Sequence, residues 1–360
     1  MINVIIRKDN AISIEFYSTD TDQGTISIIR KEGPAYEVVK QIRVGNAPRG
    51  SVKFTKNGRG FVSNTSGNTI SELDAFEHKE VGRITVGFGP RGIGIVPGDR
   101  YALVSNSGSD TVSVVDLQSR KELTQIAVGA DPRHMAITKD GKSAYVSIWG
   151  GGHIAKLDIS GLQHGEVDGI RQIATIGLGE NSNPYSLNIE PAGRYAFVAC
   201  NAADHIPVID LASDEVSYRI SVDCDEGACG ARAVAFSANG KVAFATLERT
   251  NAVAAIAIDG MSVIRYIQVG PAPRGIIQDE DVLVISNFSR SPGGAPMPSL
   301  KLIPHSVTFV DLNGVDLKEA LPVECYSQVR VGHGPCSVSM FDPSKATGRS
   351  ATTTLHTAAV

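Results

Sequence analysis

The sequence predicts an all-β fold: a seven-bladed β-propeller of four-stranded blades, closed by a composite blade from both termini. Three observations predict it. A short phrase returns seven times along the chain, each return carries four β-type runs, and the two ends supply complementary parts of one unit.

The phrase reads VGNAPRG at Val44–Gly50, VGFGPRG at Val86–Gly92 and VGPAPRG at Val269–Gly275, with VGADPRH at Val128–His134 as a fourth version. Aligned on the residue after the proline, the units begin at Arg49, Arg91, Arg133, Tyr185, Arg232, Arg274 and Cys336. The first two steps are 42 residues and the later ones 52, 47, 42 and 62. That is a repeat of about 42 residues with insertions, the period of propeller blades.

Within the unit from Arg91 the runs are GIGIVP, YALVSN, TVSVVDL and KELTQIAVG, rich in β-branched residues and separated by GD, SGSD and QSR turn signals. No segment shows sustained helical periodicity with caps. Four strands per unit is the content of a blade.

At the C-terminus VGHGPCSVSMFDP supplies only a first strand, and AISIEFYS, TISIIRK and YEVVKQIRVG near the N-terminus supply the other three. The seventh blade is therefore composite, residues 1–48 with 336–343, in one domain spanning 1–343. Such closure leaves the ring no free seam. Residues 344–360, small and polar, are expected to form a disordered tail.

Composition agrees with a globular chain: of 360 residues 42% are hydrophobic and 20% charged, and 37 glycines and 17 prolines are spread along the length as turn formers. A formal net charge of −4 gives no global argument for nucleic acid or an anionic membrane. MINVIIRKDN has too short an apolar run for a signal peptide, and no run reaches transmembrane length, so a cytoplasmic location is expected. Five cysteines without repeated spacing do not read as a disulfide scaffold. The pair Cys224 and Cys229 reads as a solvated acidic loop, with a local clip as the alternative.

In each unit glycine and proline are expected to build a tight turn into the innermost strand, with the residue before proline extended. The next residue then stands at the mouth of the central channel. Five of those seven residues are arginine: Arg49, Arg91, Arg133, Arg232 and Arg274, beside Tyr185 and Cys336. Guanidinium groups cannot shed their charge to relieve mutual repulsion. Either a carboxylate or phosphate ligand offsets them, or acidic residues such as Asp110, Asp131, Asp204, Asp223, Asp225 and Glu248 do. Cys336 reads either as a nucleophile activated by the arginines or as a small residue completing the ring.

Loops between second and third strands share the mouth face. Asn64, Asn106 and Asn287 open three of them and read as turn chemistry. The others depart from the repeat. The third holds Trp149, the only tryptophan, with His153; the fourth holds Asp204 and His205; the fifth holds Glu248 and Arg249. The sixth, Asn287 to Val307, is rich in Pro, Gly and Ser and reads as a lid or a disordered loop. Trp149 suits ligand stacking or blade capping. His134 follows Arg133 where the other copies carry glycine, and with His205 and Glu248 it forms a candidate acid–base set. Together with His153 these residues also suggest a divalent metal ion. No phosphate loop, dinucleotide fingerprint or haem-attachment motif is present.

ALVSNSGSDTVSVVDL, Ala102 to Leu117, resembles the repeat of the YVTN family of β-propellers, and the resemblance extends over essentially the whole chain. Related propellers include secreted surface proteins, lactonases acting on phosphogluconolactone, streptogramin lyase and the haem d1 domains of nitrite reductase. DPRHMAITKDGKSAYV is similar to the lactonase segment around its histidine, although SIWGG follows where a lactonase carries Asn-Glu. The resemblance implies a small-molecule enzyme of lactonase, lyase or cyclase type. Its anionic substrate would lie on Arg49, Arg91, Arg133, Arg232, Arg274, Tyr185, Trp149 and His153, with His134, His205 and Glu248 as acid–base groups. The alternative is a non-catalytic propeller, a ligand sensor or a scaffold with a protein partner.

Overall fold

The computed structural model describes residues 13–179, 182–222, 228, 230–289, 303–319 and 321–347. Seven four-stranded antiparallel sheets form a seven-bladed propeller. Six sheets are consecutive in sequence, and their innermost strands are Pro48–Phe54, Pro90–Ile95, Pro132–Ile137, Pro184–Ile189, Ala231–Phe236 and Pro273–Asp279. The seventh takes its innermost strand, Pro335–Phe341, from the C-terminus and adds Glu15–Asp20, Thr25–Glu32 and Ala35–Arg43 from the N-terminus. Register runs from Glu15 opposite Phe341 to Asp20 opposite Pro335.

The core lies between blades. Second strands such as Tyr101–Asn106 are buried at every position, because a neighbouring blade covers each face. The outer strand Lys121–Ala127 alternates exposed and half-buried positions, since water reaches its outer edge. One apolar cluster joins Phe61 and Ile70 of the first blade to Ile93, Val104 and Val115 of the second. Another joins Phe309 of the sixth blade to Phe16 and Val338 of the seventh, with the Phe309 ring stacked on Tyr36 at 3.7 Å.

Insertions account for the longer repeat steps. A 3₁₀ turn at Ser160–His164 precedes the outer strand of the third blade, and another at Val323–Cys325 precedes that of the sixth. Past the last strand, Pro343–Lys345 forms a 3₁₀ turn whose capping residue, Asp342, accepts from the Ser344 N–H at 3.0 Å. The Thr347 N–H then donates to the Lys56 carbonyl at 2.7 Å. The stretch expected to be disordered from 344 therefore remains packed on the first blade through 347. Among the described residues no helix is long and apolar enough to cross a membrane.

Candidate active site

The mouth is built by one local device used seven times. The residue before each innermost strand is left-handed, not extended: φ is 52° at Ala47, 64° at Gly89, 54° at Asp131, 43° at Asn183, 70° at Gly230, 52° at Ala272 and 70° at Gly334. The expectation from proline alone is corrected by a hydrogen bond that recurs in every blade. The first N–H after the second strand donates to that left-handed residue's carbonyl: Thr65 to Ala47 at 3.1 Å, Trp149 to Asp131 at 3.1 Å, Glu248 to Gly230 at 3.0 Å, Phe288 to Ala272 at 2.9 Å. This bond offsets the strain of a non-glycine residue at positive φ.

The glycine of the phrase answers to space. A Cβ on Gly87 would stand 2.6 Å from Asn106 Nδ2, and Gly45 and Gly270 face Asn64 and Asn287 as closely. Those asparagines are fully buried and are not turn residues. Asn106 Nδ2 donates to the Ser113 and Thr111 hydroxyls at 2.7 and 3.1 Å, pinning the second strand to the third.

A β-bulge follows each proline. In the second blade Pro90 pairs with Asn106, but the next pair is Ile93 with Val104, so Arg91 and Gly92 together face Ser105. A bulge re-aims the side chain it carries, and here it turns the ring residue towards the channel. Second-strand hydroxyls then stitch blades together. Ser105 Oγ accepts from the Gly92 N–H at 2.9 Å and donates to the Arg133 carbonyl of the next blade. Ser147 reaches the Tyr185 carbonyl at 3.0 Å and Thr246 the Arg274 carbonyl at 2.8 Å.

Among the described residues, charge at the mouth does not balance. Glu248 bridges Arg232 and Arg274, with Arg274 Nη2 at 2.7 Å, and Asp131 pairs with Arg133 at 2.5 Å. Arg49 and Arg91 have no carboxylate partner among the described residues, so five guanidinium groups face two carboxylates. Burial, with Arg133 and Arg49 close by, pushes Arg91 down to about 10, still charged at neutral pH. Arg49 Nε, Arg91 Nε and Nη1, and Arg133 Nε have no water-accessible surface and no acceptor.

Aromatic rings hold the guanidinium groups in place. Arg133 lies over Trp149 at 4.6 Å, Arg232 over Tyr185 at 4.5 Å and Arg274 over Phe288 at 3.5 Å. Cation–π contacts of this kind fix orientation as well as charge. Trp149 therefore packs on the ring's own cation, and its edge meets Tyr185. The mouth cavity, about 520 Å³, is lined by Arg49, Arg133, Arg232 and Arg274 with Trp149, Tyr185, Asn201, Glu248 and Phe288.

Asn201 and Phe288 were missed from the sequence, and the signal was available. The residue ending each second-strand turn aligns as Thr65, Ser107, Trp149, Asn201, Glu248, Phe288 and Thr21. Where it is a small hydroxyl it ties to the next blade's proline carbonyl, as Thr65 does to Pro90 at 2.8 Å and Thr21 to Pro48 at 2.7 Å. In the third to sixth blades it is large or charged and faces the cavity. A second, asymmetric ring thus overlies the arginines.

Beneath the mouth the channel holds a cavity of about 160 Å³ whose lining includes Lys53, His134, Tyr185, Arg232, Arg274 and Cys336. Lys53, also missed from the sequence, projects into this space. The channel wall encloses it while water still reaches it, and burial lowers its ammonium pKa. Burial, then Lys53, Arg91 and Arg133, pushes His134 down to about 3, so its imidazole is neutral and a weak base. Cys336 is 5% exposed. Burial opposes its ionisation, but Arg274, Arg49, Arg232 and Arg91 outweigh burial and lower the thiol pKa.

The structure does not bring the three acid–base candidates together. His205 begins a third strand, two strands out from the channel, with Nδ1 2.9 Å from Asp204. His153 begins the third strand of its own blade, its Nδ1 3.0 Å from the Gly151 carbonyl, and does not line the mouth either. Strands lie nearly 5 Å apart in a sheet, which separates both histidines from Glu248. Glu248 is itself occupied by two arginines. Among the described residues no group of three or more His, Cys, Asp or Glu side chains could hold a metal ion, so the divalent-metal expectation finds no ligand set. The proposed lid residues 290–302, Asp223, Asp225, Cys224 and Cys229 lie outside the described residues.

Fold and mouth together define a seven-bladed propeller with an arginine-lined opening. A family model described as "Lactonase, 7-bladed beta-propeller" matches residues 123–280, which include the third, fourth and fifth blades entire. Solved structures share the fold. A periplasmic gluconolactonase of Pseudomonas aeruginosa has a TM-score of 0.72 at 14% identity, over 92% of this chain and 99% of that one. Hydrazine synthase of Kuenenia stuttgartiensis has a TM-score of 0.66 at 23% identity, over 82% and 90%. A protein from Lactobacillus plantarum gives 0.73 at 14%, over 91% and 99%. No curated protein sequence matches the chain.

Proposed function

We propose that this protein is a lactonase-type hydrolase that binds an anionic sugar lactone across the arginine-lined mouth. The observation that carries the reading is the charge at the mouth: among the described residues two carboxylates pair with three of the five ring arginines, and Arg49 and Arg91 have none. Arginine's planar fork suits carboxylate and phosphate oxygens. The lactonase family model supports the reaction class, and its matched span carries Arg133, Tyr185, Arg232, Arg274, Trp149 and Glu248. In the mouth the substrate's anionic group would pair with Arg49, which lines the cavity without a carboxylate, and Arg91 beside it would add its charge. Arg133 and Arg232, held by Trp149 and Tyr185, would orient the sugar.

The test is hydrolysis of gluconolactone and of 6-phosphogluconolactone, corrected for the spontaneous rate, by wild type and by an Arg49→Ala/Arg91→Ala variant. The expected result is preference for the phosphorylated lactone and a loss of 100-fold or more in kcat/KM on it in the variant, with a much smaller loss on the neutral lactone. Loss of two charge-assisted contacts accounts for a change of that size. Equal losses on both lactones would remove the anion-binding role.

A second reading, an anion-binding propeller without turnover, is favoured by one observation: Asp131 and Glu248, the carboxylates paired at the mouth among the described residues, are engaged by arginines and His134 is a weak base. Binding of 6-phosphogluconate without hydrolysis of either lactone would establish it.

A further inference from the structure

We propose that Cys336 is the nucleophile of the mouth, attacking the carbonyl carbon of the lactone that the arginines hold. The proposal rests on the hydrolase reading above and supplies the reactive group which that reading lacks.

Position comes first. Cys336 occupies the ring position of the composite blade, in register with the five arginines. It lines the channel cavity with Tyr185, Arg232 and Arg274, and those three residues also line the mouth cavity above. Cys336 thus lies in the channel cavity beside three residues that the two spaces share.

Chemistry selects it from its neighbours. Glu248 is held by Arg232 and Arg274, Asp131 by Arg133, and His134 is neutral and weakly basic. Arg49 from the first blade, Arg91 from the second, Arg232 from the fifth and Arg274 from the sixth all act on Cys336 and favour its thiolate. The contrast with Cys200 isolates their effect. Cys200 is equally enclosed, lacks cations around it, and burial pushes its thiol up to about 12. A thiolate beside arginine is the reactive form of cysteine.

A separate observation is that guanidinium donors on the same ring lack partners. Arg49 Nε, Arg91 Nε and Nη1, and Arg133 Nε are sealed from water without partners. Donors left unpaired in the resting site are stabilised when an oxyanion forms among them.

The step balances without an oxidant or a metal-bound species. The thiolate forms a C–S bond to the lactone carbonyl, whose electron pair moves onto oxygen facing the guanidinium groups. Collapse breaks the ring C–O bond, and the alkoxide takes a proton from water. The hydroxide formed attacks the thioester, the C–S bond breaks and the thiolate leaves. One lactone and one water give one hydroxy acid, with Cys336 unchanged.

The test uses the full chain in three measurements. Intact-protein and peptide mass spectrometry after acid quenching with 6-phosphogluconolactone is expected to find an acyl adduct on Cys336. Iodoacetamide is expected to alkylate Cys336 well below the usual thiol pH range, and 6-phosphogluconate is expected to protect it. Cys336→Ser is expected to lower kcat by 100-fold or more with KM little changed. A wild type that hydrolyses the lactone while Cys336→Ser stays within threefold would overturn the nucleophile and leave the hydrolase reading standing. A wild type that hydrolyses neither lactone would overturn both. Should Cys336→Ser fail to fold, absence of the adduct from turning-over wild type, or alkylation only above pH 8.5, overturns the proposal without it.

Discussion

Asp20 is the residue that breaks the asparagine pattern. In the composite blade it takes the place of Asn64, Asn106 and Asn287, opposite the first proline of the innermost strand. The asparagines donate to third-strand hydroxyls. Asp20 instead accepts from Ser27 at 2.6 Å, Thr25 at 3.1 Å and Ser18 at 2.9 Å. Burial outweighs those bonds and pushes its carboxyl up to about 6. The folded state then holds a proton more tightly than the unfolded chain, whose aspartate titrates near 3.9. Stability is therefore lost as pH rises between about 4 and 6, and the whole cost of roughly 3 kcal/mol is present above that window. Asp20→Asn should stabilise the protein by about that much at pH 7.5 and by little at pH 4. Urea unfolding at the two pH values measures it, and an equal gain at both would refute the assignment.

Between elements, buried ion clusters join neighbouring blades. Glu72, 1% exposed on a third strand of the first blade, accepts from Arg59 of its own blade at 2.6 Å and from Arg120 Nη2 of the second blade at 3.1 Å. Arg59 also donates to the Leu117 carbonyl at 2.9 Å. Glu15 makes the matching cluster between the seventh and first blades, with Arg30, Tyr17 at 2.7 Å and His78 at 2.9 Å. Removing the carboxylate strands cations in a partly desolvated site. Glu72→Ala should cost about 1–3 kcal/mol and lower Tm by roughly 2–6 °C. Arg100→Ala is the control: its pair with Asp116 is 3.5 Å long and the arginine side chain is 56% exposed. Such surface pairs contribute less than about 1 kcal/mol. Equal melting shifts in the two variants would show that the cluster has no special weight.

At the scale of the whole molecule, closure depends on one strand. Pro335–Phe341 completes the seventh sheet and packs against the innermost strands of the sixth and first blades. It brings Cys336, Val338 and Phe341 into the core, each at most 5% exposed. A chain ending at residue 334 would leave Glu15–Asp20 as an open sheet edge and uncover two apolar interfaces. That loss exceeds the roughly 5–15 kcal/mol by which a domain is stable, so the truncated chain should give no cooperative thermal transition and should aggregate. A truncated chain that melts cooperatively near the wild-type Tm would contradict this.

Repetition made the fold legible. Each unit spells its strands and turns locally, and the mismatch of the two ends required a shared blade, so blade number, closure and the identity of the ring residues follow from the sequence alone. The arginines were placed because they recur at one position. The roles of Asn64, Asn106 and Asn287, the left-handed residue before each innermost strand, and the bulge that aims each arginine were not legible. They depend on hydrogen bonds between segments that a local reading treats as separate turns. The histidines failed for a related reason: a shared face of the propeller brings side chains to one side of the disc, while strand order sets their distance from the axis. His153 and His205 share the face but not the channel. What the sequence by itself determined was the periodic part of this protein, because a repeat restates its own geometry every 42 residues. The pairing of Glu248 with two arginines, the weak basicity of His134 and the lowered thiol pKa of Cys336 arise only in the tertiary structure, where seven separate segments meet on one axis and their charges and burial act on each other.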